Sequence, residues 1–470
     1  MSKAHIEFRE FLAATQKNII IKERFGSYEN KTKNVFFPSN EKKNQLLKCL
    51  TEFLQSKNKE EIYEKFKEIY ELRDLMIFIS NNEYQELINA KFIDYVYEIY
   101  ENNEYILFFN FIGACIDKRS PFIDALSNQT YNIVLKIHDF LKTTTPGRNN
   151  EIRAAIECLI KLIDLNDSCI NQMIISCKMI EIMIGRASAD LNKLYFQNGV
   201  STFQDDIKTI VQLCSLGKNS IFRAQQFVSQ LILCNSLEKE QILDALTLLA
   251  SILRRLVPMT EYYNSPRILN RLLNLLSIDD NEIRENVLLV INQLSCGRIG
   301  PINYLLNNGL LSMLYQISQS MDDNLNVILS IVANISSYSS DIIEMVCNNN
   351  FLSIIIGALE EGTITDQVSA SWLASNIIYK GTPEQISLLF NQTIFDALLM
   401  NLESDDERLG FVILDSLYNG LTREKELGRN DLSNILCKMN FVQLFESIAY
   451  SENNKNSRIA HELLNIFIQK

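Results

Sequence analysis

Four asparagines, Asn292, Asn334, Asn376 and Asn419, recur at intervals of 42, 42 and 43 residues, and the chain's single tryptophan, Trp372, stands four residues before the third. These side chains break no bonds, but they bind. An Asn amide has donor and acceptor capacity for both the N–H and the C=O of an extended backbone. An indole face flanks the stem of a Lys or Arg and attracts its charge, worth about 0.5–2 kcal/mol. Residues four apart on a helix share one stripe, so Trp372 and Asn376 pair up, offset from the core stripe of Leu373 and Ile377. The expectation is a peptide-binding wall, concave and partly exposed at both residues. The competing structural reading makes each asparagine a helix cap or local backbone partner, and the tryptophan a core residue.

Catalytic chemistry finds little to work with. The three histidines, His5, His138 and His461, are far apart, and the ten cysteines contain no C-x-x-C pair. No zinc-ligand spacing, phosphate loop or His-centred constellation is present. The expectation is a protein that is not an enzyme and holds no metal or cofactor, with its thiols buried and reduced.

The elements that must position the asparagines are helices. With only 15 Gly and 7 Pro in 470 residues, the chain lacks the punctuation of many-stranded folds. From about residue 45, apolar residues recur at three- and four-residue spacing, broken by short polar stretches such as SSYSSD (336–341), ESDDER (403–408) and SENNKNS (451–457). The segments 286–297, 326–337 and 370–381 align without gaps, and 412–421 follows. A period of 42 with two or three helices per unit is the mark of armadillo or HEAT repeats. The fold class expected is all-α, a superhelical solenoid of about nine to ten repeats over 46–470.

Charge is unevenly placed. Residues 1–47 hold nine Lys/Arg and five Asp/Glu, so a net −12 for the chain leaves −16 on the remainder. An acidic body disfavours nucleic acid and favours a basic partner. The most lipid-like stretch, 105–116, is too short to span a bilayer, so no membrane insertion is expected.

The segment ASWLASNIIYKGTPEQISLLF (370–390) is similar to the A-x-W-x-x-x-N-I helix and G-[ST]-x-E-Q-I linker of the importin α family. LDSLYNGLTREKELGRNDLSNIL (414–436) resembles that family's last Asn-bearing helix and its long insertion, and 437–470 resembles its closing repeat. The match is specific over about 280–470 and topological over about 70–280.

This resemblance implies a right-handed armadillo superhelix acting as a nuclear import adaptor of cytoplasm and nucleus. Its concave groove would bind Lys/Arg-rich localisation signals and link cargo to an importin-β-type carrier. The asparagine role carries onto Asn292, Asn334, Asn376 and Asn419, and the tryptophan role onto Trp372. The other tryptophan slots hold Leu288, Ser330 and Asp415, and the early Asn slots hold Gly113, Leu162, Gln212 and Ser251. Residues 1–45 read either as a degenerate importin-β-binding arm or as a first helix or tail. The region 437–470 is the implied surface for a recycling export receptor. The alternative is an armadillo/HEAT-like interaction scaffold that does not read basic signals.

Overall fold

The computed structural model describes residues 40–468, apart from 57–58, 90, 117–120, 127–130, 145–147, 195–201, 256–264, 321–323, 383–384, 387–388, 390–397, 399–401, 403–406, 439–440 and 451–453. Most of the expected N-terminal segment, 1–45, lies outside the described residues. Within them every regular element is a helix. They form two compact units, 40–231 and 232–468.

The first unit is built on aromatic side chains. Phe66, Phe92, Phe108, Phe109, Phe111 and Phe122 are fully buried. They meet edge-on or tilted, as in Phe53–Phe92 at 4.9 Å and Phe66–Phe111 at 5.0 Å between centroids, the arrangement that aligns ring edges with ring faces. The apolar stretch 105–116 becomes the buried helix Tyr105–Cys115. Among the described residues no single helix is long and apolar enough to cross a membrane. Tyr105–Cys115 packs on Asn149–Asp164, which packs in turn on Phe203–Leu213. Lys161 Nζ reaches back 2.7 Å to the carbonyl oxygen of Gly113, seating a cation at the carbonyl end of Tyr105–Cys115.

A buried ionic cluster joins Met179–Leu194 to Phe203–Leu213. Asp206 is fully buried and accepts from Arg186 Nε at 3.2 Å. Arg186 Nη2 donates to Thr202 Oγ1, and Thr202 donates to Asp190 through both its backbone N–H and its hydroxyl. Burial is the largest influence on Asp206; Arg186 opposes it and the Asp190 carboxylate adds to it, and the Asp206 carboxyl is pushed up to about 7. A carboxyl raised above its ordinary 3.8 stabilises the fold while protonated. That contribution is whole at low pH and is lost as pH rises through about 7. Asp206→Asn keeps the shape without the charge and is expected to flatten the dependence. Hydrogen exchange of 203–213 in the full chain, compared at about pH 5 and about pH 8 after correction for intrinsic rates, checks this. The wild type should lose protection at the higher pH and the variant should not.

The second unit repeats one helix. Lys239–Arg255, Asn281–Ser295, Leu325–Ser336, Ile364–Lys380 and Glu407–Glu426 pack each upon the next, and Asn454–Ile468 packs on the last. Short helices such as Leu310–Ser318 and Phe351–Glu361 flank the stack. Local chemistry sets the starts: Asp280 caps Ile283 N–H, Ser339 caps Ile342 N–H, and Thr363 with Asp366 forms a reciprocal capping box. Gly381 ends one helix where no side chain fits, since a Cβ there would stand 2.5 Å from the Ile377 carbonyl oxygen.

The cysteines are less uniformly buried than expected. Cys49, Cys115, Cys158, Cys214 and Cys296 are buried, whereas Cys169 and Cys437 are exposed. Burial pushes the Cys158 thiol up to about 12, which keeps it protonated and inert.

Candidate functional site

The four predicted asparagines lie on four consecutive members of the stack, so the structure brings the ladder together. It also corrects the exposure expected of it. Trp372 is 0% exposed, and Asn292, Asn334 and Asn376 are 1–2% exposed. Only Asn419 is half-buried. The helix Ile364–Lys380 is buried on every face from Ser369 to Ile378, as are 286–296 and 327–337 of the two helices before it. An offset from the core stripe puts a residue at the surface only when one face of its helix meets solvent. Here the residues between the large side chains are Ala and Ser, which let neighbouring helices close in on the remaining faces.

The buried amides are spent on neighbouring repeats. Asn334 Nδ2 donates to Asn292 Oδ1 at 2.9 Å and to Ser295 Oγ at 2.8 Å. Asn376 Nδ2 donates 2.9 Å to the carbonyl oxygen of Ala333. Asn419 differs, donating 2.6 Å within its own helix to the carbonyl of Asp415. Three asparagines therefore link one repeat to the next, and the fourth caps a local turn.

A second ladder runs one helical turn further on. Tyr338, Lys380 and Arg423 each follow a ladder asparagine by four residues. Tyr338 Oη donates 3.0 Å to the carbonyl of Ser295. Lys380 Nζ donates 2.6 Å to the carbonyl of Ser337 and 3.3 Å to that of Tyr338. Arg423 Nη1 donates 2.6 Å to the carbonyl of Gly381. The last carbonyls of a helix lack intrahelical partners and carry the negative end of its dipole, so a donor or cation from the next repeat satisfies both needs. Sequence reasoning missed this ladder. Its period was present, but Cys296, Tyr338, Lys380 and Arg423 share no residue type that an alignment would pick out.

The early Asn slots behave differently. Leu162 and Ser251 are buried, Gln212 is half-buried, and Gly113 supplies only the carbonyl that Lys161 caps. The tryptophan slots Leu288 and Ser330 are buried, and Ser330 Oγ lies 3.1 Å from Ser369 Oγ across the stack.

On its later members the stack is partly open beyond the ladder asparagines. Tyr379 and Lys380 are half-buried at the end of Ile364–Lys380. Asp415, Tyr418, Asn419, Thr422 and Arg423 are half-buried on Glu407–Glu426, at the three- and four-residue spacing of one helix face. Tyr379 has its phenol pushed up by burial and then by the Asp415 carboxylate. Lys380 has its ammonium pulled down by burial. This partly exposed face combines aromatic, amide and charged groups.

No family model matches the chain, and no curated protein matches its sequence. Among solved structures, a crystallised engineered protein is similar over 90% of this chain and 99% of its own, at 15% identity and a TM-score of 0.61. A designed armadillo repeat protein in complex with the peptide (KR)4 is 21% identical over 52% of this chain and 98% of its own, with a TM-score of 0.43. A second designed armadillo repeat protein is 21% identical over 51% of this chain and 98% of its own, also at 0.43. Likeness at this level of identity is one of fold. The all-helical content and the 42-residue stack of the second unit define an armadillo-type repeat protein.

Proposed function

We propose that the chain is a non-catalytic scaffold whose repeats bind an extended segment of a partner protein. The observation that carries this is the partly exposed face of Tyr379, Lys380, Asp415, Tyr418, Asn419 and Arg423, set on a stack at regular intervals. On this reading Trp372, Asn292, Asn334 and Asn376 hold the wall in shape, and Asn419 is the ladder amide that meets the segment.

The finer proposal is a nuclear import adaptor moving between cytoplasm and nucleus. It rests on the importin α resemblance of 280–470 and on the −16 charge of the body, which favours Lys/Arg-rich cargo. Residues 1–45 would contact an importin-β-type carrier, and 437–470 a recycling export receptor.

Titration of a fluorescent (KR)4 peptide with the full chain tests the finer proposal. Binding is expected at about micromolar affinity at low salt, weakening as salt screens the charges. Asn419→Ala should weaken it severalfold at unchanged helix content. Absence of any basic-peptide binding would leave the scaffold without its import role. Deleting 1–45 should abolish capture of importin β, and retained capture would place that contact elsewhere.

A further inference from the structure

Pro266–Leu276 buries its leucines and Ile268 against Asn281–Ser295 and Ile299–Asn307 and turns Arg267, Asn270, Arg271 and Asn274 outward. Arg267 and the two asparagines are exposed, and Arg271 is half-buried. Arg271 stands apart. Its Nε is closed off from solvent and has no hydrogen-bond partner, and the side chain makes no ion pair among the described residues. The other described half-buried arginines are partnered. Arg153 meets Asp205 at 2.9 Å, Arg186 meets Asp206 at 3.2 Å and Arg284 meets Asp279 at 3.1 Å. Arg73 and Arg423 donate to the carbonyls of Tyr70 and Gly381, and Arg254 is also engaged.

Acids stand close in sequence, but they are spent. Arg284 holds Asp279, and Lys239 holds both Asp280 at 2.8 Å and Glu282 at 3.2 Å. Asn324 donates 3.3 Å to Glu285. Ile299–Asn307, the other helix packed here, brings none: neither 265–278 nor 286–321 contains an Asp or Glu, while together they hold Arg267, Arg271 and Arg298. In a chain of net charge −12, this is a stretch of opposite sign. A guanidinium with a closed-off, unmatched donor and no acid left to it is a costly arrangement for the isolated fold.

The spacing indicates what would complete it. Arg267 and Arg271 are one helical turn apart, as are Asn270 and Asn274, so each pair repeats at about 6 Å in neighbouring rows. Side chains on one side of an extended chain repeat every second residue, at about 6–7 Å. An extended segment with Asp or Glu at alternate positions therefore places one carboxylate at each guanidinium, the group whose planar donors match it. The two amides offer donor and acceptor to the segment's backbone. The half-buried stem of Arg271 already restrains its head, which lowers the entropic cost of binding. We infer that this face of Pro266–Leu276 is a binding surface for an extended acidic segment of a partner protein. It uses none of the residues of the basic-segment proposal and does not rest on it.

The test titrates a fluorescent glutamate–serine octapeptide, (ES)4, with the full chain at low salt, beside (KS)4 and an octamer of thymidylate. The (ES)4 peptide is expected to bind about tenfold more tightly than either, against the negative charge of the chain as a whole, and to weaken as salt rises. Arg267→Gln with Arg271→Gln should cost about tenfold. Arg267→Lys with Arg271→Lys, which keeps charge and stem, should lose less, both at unchanged helical circular dichroism. Lys425→Gln with Arg458→Gln removes the same charge from exposed sites elsewhere and should leave binding unchanged. Absence of (ES)4 binding, or full binding by the glutamine pair, overturns the inference. So does an equal loss in the Lys425 and Arg458 variant, which would reduce the effect to net charge, or in the lysine pair, which would make it a packing defect. Equally tight binding of the oligonucleotide overturns the assignment to carboxylates. The outcome of the (KR)4 titration bears on the wall and leaves this face untouched.

Discussion

Replacing Trp372 by alanine is expected to cost about 3–5 kcal/mol, the penalty of emptying a large, fully enclosed aromatic site. The indole is 0% exposed within a helix buried from Ser369 to Ile378. The helix that carries it, Ile364–Lys380, packs against Leu325–Ser336, Phe351–Glu361 and Glu407–Glu426. A tryptophan standing on an open wall would cost far less, because its removal leaves no cavity. The two readings therefore separate on stability before any ligand is added. For a unit of this size the loss corresponds to a fall of roughly 10 °C in melting temperature. Repeat stacks depart from two-state unfolding, so the sharper measurement is hydrogen exchange of 364–380. Exchange there should quicken strongly in Trp372→Ala and much less in Trp372→Phe, which refills most of the volume. A melt and an exchange pattern unchanged by the alanine variant would contradict the buried placement. Any loss of peptide binding in this variant must accordingly be read beside its stability.

The second large effect is expected at Asn334. Its amide donates to Asn292 Oδ1 and Ser295 Oγ, both inside the stack. Asn334→Ala removes these interrepeat bonds and leaves buried acceptors to be re-satisfied, at an expected cost of about 2–4 kcal/mol. Asn419→Ala removes one bond to its own helix from a half-buried site, and its cost should lie near 0.5–1 kcal/mol on the same grounds. Urea-induced unfolding followed through Trp372 fluorescence measures both, since the only tryptophan of the chain sits in this unit. Asn292→Ala combined with Asn334→Ala should be less destabilising than the sum of the singles, because the two share a bond. Full additivity would show that the ladder is not a connected network. Equal effects of Asn334→Ala and Asn419→Ala would show that the asparagines act alike, as their equal spacing first suggests.

The repeat itself was legible because it rests on local rules. Helical periodicity, sparse Gly and Pro, and caps such as Asp280 and Thr363 act within a turn or two of chain. A 42-residue period needs only self-comparison. The asparagines are indeed placed on successive members of one stack. Their environment was harder to read. Trp372 and Asn376 lie off the stripe of Leu373 and Ile377, and a helix with one wet face would expose them. Their burial depends on how closely other helices approach, which the Ala and Ser residues of 369–375 permit but do not announce.

Lys380 and Arg423 show the same division from the other side. Each reads in sequence as an ordinary basic residue near the end of a helix, where a cation is favoured anyway. Each reaches about one repeat back, Lys380 to the Ser337 carbonyl and Arg423 to the Gly381 carbonyl, and no local pattern encodes that reach. Composition and period alone settle an all-helical repeat protein with an acidic body and asparagines in register. The stacking of one repeat on another settles which amides are consumed inside the wall, which helix-end carbonyls the next repeat's cations cap, and which stretch remains partly open. Those outcomes depend on distances between residues about one repeat apart in sequence, and such distances exist only once the helices have packed.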